Sequence, residues 1–541
     1  MTGWQYADVW DVIAEVRGDS PALVHGDRRV SWRELSARAD GLAASLVQGG
    51  AGKGDRVVQY LYNGPEYLEV SYGAYKAALT PVNTNYRYRA DELVFLWDNA
   101  DAVAVVFHGA FSETVSSVRD RVPSVRRWIW VDDDTSPCPP WAEPYEQLTA
   151  GGSPGRFEPP WGRSGDDIVM IYTGGTTGTP KGVMWRHDDM YRAFAVTGDP
   201  TQPDLAHVRT RLAAAPGPGP GPVGLPASPL MHATGYMFAK SMLTQGGTVV
   251  TLPSRHFDAD GLLDAVDRHR VQAMAIVGDS FARPIVAALD AAPGRWDLAS
   301  LQMVVSAGVM WSAETKVALA AYMPGAMLID VLGSTEAHGL GSAIGAGAAA
   351  TATFTLGSHA MVVTDDGRRA GPGEEGLLAV RGPIPLGYHK DTDKTAATFR
   401  QVDGERVSIP GDWARVEPDG TITLLGRGSL CINTGGEKVF PEEVEEVLKS
   451  HAAVRDSTVV GLPDVRLGES VAAAVELEPG ADASADDLIA HVRSRLAGYK
   501  APRHLLIVDS LGRSPNGKAD YHGTRERISK SLATQTQPSH R

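Results

Sequence analysis

A chain of 541 residues is too long for one hydrophobic core, so at least two domains are expected. With 43% hydrophobic and 21% charged residues it reads as a globular protein, and a net charge of -14 with no offsetting basic block excludes wholesale nucleic-acid binding. Two cysteines, Cys138 and Cys431, are too few for a disulfide framework and suit a reducing cytoplasm; no basic-then-apolar leader opens the chain, and no apolar run approaches the ~20 residues of a membrane helix.

In chain order, the first informative element is Ile168-Val-Met-Ile-Tyr172, an apolar run that predicts a buried strand. It empties into a loop of Gly and Thr that ends in Pro180-Lys181-Gly182. Glycines let several backbone N–H groups face one anion, threonines add hydroxyl donors, and a lysine adds charge. Thr173, Gly174, Gly175, Thr176, Thr177, Gly178 and Lys181 therefore form a predicted phosphate cradle. It is not a Walker A loop, because no Gly-Lys-Ser/Thr follows a four-residue spacer from a first Gly. His187, Asp188 and Asp189 come next. Metal ligation is one reading of them, but acidic residues in a first helical turn are commoner as caps and dipole partners, and the cap is taken.

The Pro/Gly repeat from Pro216 to Pro222 predicts an exposed, poorly ordered loop. From about Ala259 to Val331, helical spacing (Leu262, Leu263, Val266, His269; then Val317, Leu319, Ala320) alternates with strand-like runs at Ala273–Val277, Met303–Val305 and Met327–Val331. Such alternation predicts βαβ units and a largely parallel sheet. Gly411-Asp412-Trp413 and Asp419-Gly420, set between strand-like runs, predict a hairpin. Past Arg427 the texture changes: an amphipathic helix over Pro441–Leu448, two strands, a helix over Ala485–Leu496 and a strand over Leu505–Val508. The polar tail from Ser531 is expected to be disordered. The expected fold class is α/β: a large N-terminal domain, 1–427, of mixed, largely parallel sheets with helices, and a small mobile α+β C-terminal domain, 428–541, with a hinge near 428–430.

The phosphate loop resembles the nucleotide-phosphate signature of the adenylate-forming superfamily, which includes acyl-CoA ligases, luciferases and peptide-synthetase adenylation domains. Further matches follow in the order that superfamily requires, from about Val30 to Lys518. Gly54-Asp-Arg-Val57, Asn63, Glu66 and Tyr75-Lys-Ala77 are similar to its opening region. Pro229-Leu-Met-His-Ala-Thr-Gly235 looks like the motif whose histidine, here His232, borders the acyl site, with Gly235 beside it. Ser306-Ala-Gly308 resembles the segment whose backbone contacts adenine. Gly333-Ser-Thr-Glu336 resembles the motif in which Ser334 adjoins the nucleotide, Thr335 contacts phosphate and Glu336 holds Mg²⁺. One carboxylate suffices chemically, since Mg²⁺ keeps waters and takes phosphate oxygens.

By the same resemblance, Asp412 takes both ribose hydroxyls, Arg427 contacts the ribose region, and Gly435 and Gly436 line the channel for the CoA arm, with Lys438 a cofactor-binding residue of that segment. Arg513-Ser-Pro-Asn-Gly-Lys518 resembles the loop carrying the superfamily's catalytic lysine. Three positions depart from the pattern: Gly174 where most members carry Ser, Leu332 where an aromatic usually meets adenine, and Ser429 where the hinge residue is Asp or Lys. At 174 backbone donors remain; at 332 ring stacking gives way to apolar contact; at 429 a small residue can still absorb a backbone rotation.

The resemblance implies that a carboxylic acid attacks ATP to give acyl-adenylate and pyrophosphate, and that CoA then displaces AMP. ATP, Mg²⁺ and CoA are the implied cofactors. The expected partners are the acid, ATP and CoA, with a homodimer left open; neither nucleic acid nor an integral membrane segment is expected. Trp185-Arg-His-Asp-Asp, Leu332 and the 428–433 segment together look most like actinobacterial ligases for long-chain or steroid-side-chain acids. Alternatives are a ligase for aromatic or medium-chain acids, an acyl-AMP ligase loading a carrier protein, and a nucleotide-binding protein without ligase activity. Leu230 to Gly235, Met274–Val277 and Leu332 are expected to offer apolar lining for the acid's tail.

Overall fold

The apolar run ending at Tyr172 forms the strand Ile168–Thr173 in the computed structural model of the protein. The structure describes residues 3–150, 156–173, 180–194, 199, 201–214, 221–308, 311–345, 353–427, 432–434, 437–464, 467–496, 498–513 and 519–535. Two compact units emerge: Met1–Gly339 with Ile344–Gly347 and Val380–Ser408, and Leu340–Ala343 with Ala348–Ala379 and Ile409–Arg541.

The first unit holds two sheets. In the eight-stranded one, the parallel strands Thr80–Asn83, Arg56–Tyr60, Ala102–His108 and Arg127–Val131 carry mostly buried β-branched and aromatic residues. At its other edge, Lys181–Arg186 runs antiparallel to Ile168–Thr173, and the short strand Gly387–Tyr388 runs antiparallel to Lys181–Arg186. The second sheet places Pro21–His25, Thr248–Thr251, Val223–Pro226, Ala273–Ile276, Met303–Ala307 and Met327–Leu332 side by side, all parallel. The alternation expected over 259–331 is present: helix Ala259–His269 precedes the strand Ala273–Ile276, and helices Gly278–Ala291 and Ala313–Tyr322 separate the last three strands. Leu262, Leu263 and Val266 pack with Met274, Ile276 and Val304 in one core.

In the second unit the expected hairpin forms from Asp412–Val416 and Thr421–Arg427. A five-stranded sheet follows, in which Gly468–Leu477 lies between Val454–Asp464 and the parallel strand His504–Val508. Helices Pro441–Lys449 and Ala485–Arg493 cover one face, where Val444, Leu448, Leu488 and Val492 pack with Val459, Val471 and Val475.

Two local expectations need revision. The helix Tyr521–Gln535 continues past Ser531, so the polar tail is helical as far as Gln535. Side chains alternate across a strand, so the sheet's second face also needs cover, and Ile528 supplies it against Val460, Leu462, Ala472 and Ala474. Asp188 and Asp189 lie in the first turn of His187–Ala193 but do not cap it, because the N-cap is Arg186. Asp188 accepts from Trp4 N at 2.8 Å and pairs with Arg192, while Asp189 pairs with Arg186. Part of the Pro/Gly repeat, 216–220, lies outside the described residues. Among those described, no helix is long and apolar enough to cross a membrane.

Candidate active site

Thr173 and Lys181 are Cα partners where their two strands close, which fixes both ends of the predicted phosphate loop. Gly174, Gly175, Thr176, Thr177 and Gly178 lie outside the described residues. Lys181 Nζ sits 2.7 Å from an Asp391 carboxylate oxygen, and both side chains are partly exposed, 25% and 30%. The pairing holds the Asp391 carboxyl below the usual carboxylate range, the Lys181 hydrogen bond contributing most.

Strand Met327–Leu332 runs into the predicted metal turn. There Ser334 N donates to Ala337 O at 2.9 Å, and Glu336 N donates to Ser334 Oγ at 3.2 Å. Three side chains from elsewhere brace it. Trp185 Nε1 donates to Thr335 O at 2.9 Å, the Tyr388 hydroxyl to Glu336 Oε1 at 2.8 Å, and the Ser408 hydroxyl to Glu336 O at 2.7 Å. Trp185 stands four residues along the strand from Lys181, hence on the same face of the sheet. Just past the turn, His338 stacks on Phe194 at 3.7 Å between ring centroids. Burial pushes its imidazole down to about 4, so the ring is neutral at physiological pH.

The acyl motif forms a second group. His232 is the N-cap residue of helix Ala233–Thr244, its N–H donating to Pro229 O at 3.1 Å. The helix starts so close to the preceding turn that a Cβ on Gly235 would fall 2.7 Å from the carbonyl oxygens of both Ser228 and Pro229. Glycine is the residue that fits. Beneath it lies a small cavity, with room for about one water, bordered by His232, Met231, Tyr236, Tyr67, Gln59 and Asn83. From Tyr236, which borders it, a hydroxyl chain leads on: Tyr236 OH meets Tyr75 OH at 2.5 Å and donates to Ser71 Oγ at 3.2 Å. Behind Tyr75, Lys240 is 2% exposed, with Nζ 3.7 Å from the Tyr6 ring centroid. Burial pushes its ammonium well below the ordinary lysine value.

Gly308 directly follows Met303–Ala307 at φ +93°, a left-handed conformation that favours glycine, and a Cβ there would lie 3.7 Å from Thr234 Oγ1. The segments predicted to meet adenine and the acyl group are thereby neighbours. Leu332 is half-buried at its strand's end. Met274 and Ile276, expected along the acid's path, pack into the core instead, because their strand lies inside a parallel sheet covered on both faces.

Asn83 joins the two groups. Its Nδ2 donates to Tyr172 O at 2.9 Å and to Met231 O at 2.7 Å, while its Oδ1 accepts from Tyr172 N at 2.7 Å. One side chain therefore binds the strand feeding the phosphate loop to the backbone of the acyl motif. In the second unit, Asp412 opens its strand opposite Arg427. The side chains of Arg427 and Lys438, and all of Ser429, Gly435, Gly436 and Lys518, lie outside the described residues.

Residues 10–389 match the family of AMP-binding enzymes, and residues 443–518 match the AMP-binding enzyme C-terminal domain. The chain belongs to the AMP-binding enzyme family. Within the family it is 38% identical to a medium/long-chain-fatty-acid–CoA/3-oxocholest-4-en-26-oate–CoA ligase of Mycobacterium marinum, over 99% of this chain and 98% of that protein. It is also 38% identical to a 3-oxocholest-4-en-26-oate–CoA ligase of Rhodococcus rhodochrous, over 96% and 95%. Its fold is that of the anthranilate CoA ligase AuaEII, solved in complex with anthranoyl-AMP, with a TM-score of 0.83 over 98% and 99% of the two chains at 21% identity.

Among the described residues no group of three His, Cys, Asp or Glu side chains could hold a metal ion. A lone, oriented Glu336 fits a cation that arrives with a nucleotide and keeps phosphate oxygens and water as its other ligands.

Proposed function

We propose that this protein is an AMP-forming acid–thiol ligase that activates a long-chain fatty or steroid-derived carboxylic acid as its acyl-adenylate and transfers the acyl group to CoA. What carries this reading is the 38% identity, over nearly the whole of both chains, to ligases named for such acids.

The mechanism must bring a carboxylate anion to a polyanion, so positive charge and donors are needed where charge develops. Glu336 would hold Mg²⁺ together with the nucleotide, and the ion would supply Lewis-acid charge at the phosphates. Lys181 and the donors of 173–178 bind the phosphates, and Thr335 adjoins them with its carbonyl held by Trp185. The carboxylate end of the acid lies by His232 and Gly235, and the adenine by Gly308 and Leu332. Asp412 and Arg427 hold the ribose. Lys518 stabilises the charge that builds between carboxylate and α-phosphate. For the second half-reaction, the domain from 428 onward rotates about the hinge near Ser429 and brings Gly435, Gly436 and Lys438 to the CoA channel.

Measuring the half-reactions separately tests this. Lys518→Ala is expected to lose about 10²–10³-fold in acid-dependent pyrophosphate release, yet to convert supplied acyl-adenylate and CoA into acyl-CoA. Equal losses in both halves would overturn the assignment of Lys518. Wild-type enzyme is expected to favour long-chain and steroid acids over acetate, and equal efficiency with acetate would overturn the substrate class.

A further inference from the structure

We propose that Tyr388 and Asp391 position the two charged groups of the phosphate end: the Tyr388 hydroxyl orients the Glu336 carboxylate toward the divalent cation, and Asp391 holds Lys181 and tempers its charge toward polyphosphate. The inference rests on the reading of Glu336 and Lys181 given above.

The backbone puts both residues there. Gly387–Tyr388 pairs with the Lys181 strand in the register Gly387↔Met184 and Tyr388↔Val183, and His389 N donates to Gly182 O at 2.8 Å. Lys181 Nζ then lies 5.9 Å from the Tyr388 ring centroid. A local network locks the segment: Tyr388 N donates to Thr395 Oγ1 at 2.9 Å, and the Thr395 hydroxyl donates to Asp391 O at 2.6 Å.

The two oxygens of Asp391 have separate duties. Oδ1 accepts from Lys394 N at 2.9 Å as the N-cap of Thr392–Thr398, and Oδ2 meets Lys181 at 2.7 Å. An Asn at 391 keeps the cap acceptor and loses only the charge. That negative charge stands beside a lysine meant for phosphate, so it competes with ATP for Lys181 and repels it. The partly exposed pair is weak enough to exchange.

At Glu336 the logic is orientation. The terminal torsion of a glutamate is broad, and a donor on Oε1 fixes it. A second tether, from Ser408 to the Glu336 carbonyl, keeps the backbone from turning with the side chain.

The test uses the full-length enzyme, with α,β-methylene-ATP and Mg²⁺ as the calorimetric probe and pyrophosphate release as the kinetic one. Asp391→Asn is expected to bind the Mg²⁺–nucleotide about fivefold tighter at low ionic strength, a gain that shrinks as salt screens the charge. Tyr388→Phe is expected to raise the Mg²⁺ concentration for half-maximal rate about tenfold, with the thermal midpoint unchanged. Unaltered or weaker nucleotide binding in Asp391→Asn would overturn the role of Asp391, and an unaltered Mg²⁺ demand in Tyr388→Phe would overturn that of Tyr388. Glu336→Gln separates the levels. If it too keeps the wild-type Mg²⁺ demand, the reading of the metal turn falls and the inference with it; if it alone shifts that demand, only the role of Tyr388 falls.

Discussion

Under the His232 motif, polar groups are buried and bonded to one another: Tyr236 to Tyr75 and Ser71, with Lys240 enclosed by tyrosine rings. At the predicted phosphate end Lys181 and Asp391 are partly exposed, and their partners can exchange. The first arrangement sets shape and resists change, because an unmade bond there leaves a desolvated group. The second stores charge that a polyanion can claim at small cost. On the proposed function, rigid burial would receive a neutral, apolar tail and exchangeable ion pairs would receive a charged nucleotide.

The sharpest way to break this contrast is at Glu336. Glu336→Gln is expected to slow pyrophosphate release by about 10²–10³-fold without lowering the thermal midpoint, whereas Tyr236→Phe should lower the midpoint and spare the rate. The reverse pattern, read from the same two variants by calorimetry and a half-reaction assay, would invert the roles given to the two ends.

Next in size is the crowded helix start. Gly235→Val forces side-chain atoms into the Ser228 and Pro229 carbonyls and is expected to cost about 1–3 kcal/mol, measured by denaturant unfolding. A neutral result would mean that the acyl end yields more easily than its packing implies.

Lys240 gives a smaller effect with a pH signature. Its folded value lies below its unfolded one, so between the two the unfolded chain holds the extra proton and stability rises with pH. The penalty is therefore present at neutral pH and vanishes above the unfolded value. Lys240→Met is expected to stabilise by about 1 kcal/mol at pH 7, a gain that fades as the pH approaches about 10.4. Unfolding curves at pH 7 and pH 10 check it.

The smallest effect concerns salt. Raising ionic strength from about 0.05 to 0.5 M should raise KM for ATP severalfold through screening of exposed charge, without raising KM for an apolar acid. Parallel shifts in both constants would erase the distinction.

How much of this was legible depended on distance along the chain. The strand into the phosphate loop, the alternation over 259–331 and the hairpin at Asp412 are local signals, and periodicity carries them. The braces on the metal turn are not local. Tyr388, Ser408 and Trp185 lie 52, 72 and 150 residues from the atoms they hold, and Asn83 lies 89 and 148 from its partners. No spacing rule reaches that far. Met274 was misplaced because an apolar strand reads alike whether it lines a pocket or fills a core. The last helix escaped because its polar sequence shows only a few apolar residues, Ile528 and Leu532 among them, to pack on the sheet.

Asn83 has a thermodynamic consequence. A single amide that bonds both the Tyr172 strand and the Met231 carbonyl cannot let one move without straining the other. On the proposed function, whatever ATP gains by binding beside the Tyr172 strand is then partly shared with the acid, and linkage makes the favour mutual: each ligand must tighten the other by one common factor. That factor, typically about 5–150-fold where coupling exists, is readable by titrating nucleotide with and without a non-reactive acid analogue. In Asn83→Ala it should fall toward one, even where the separate affinities stay close to those of the parent enzyme.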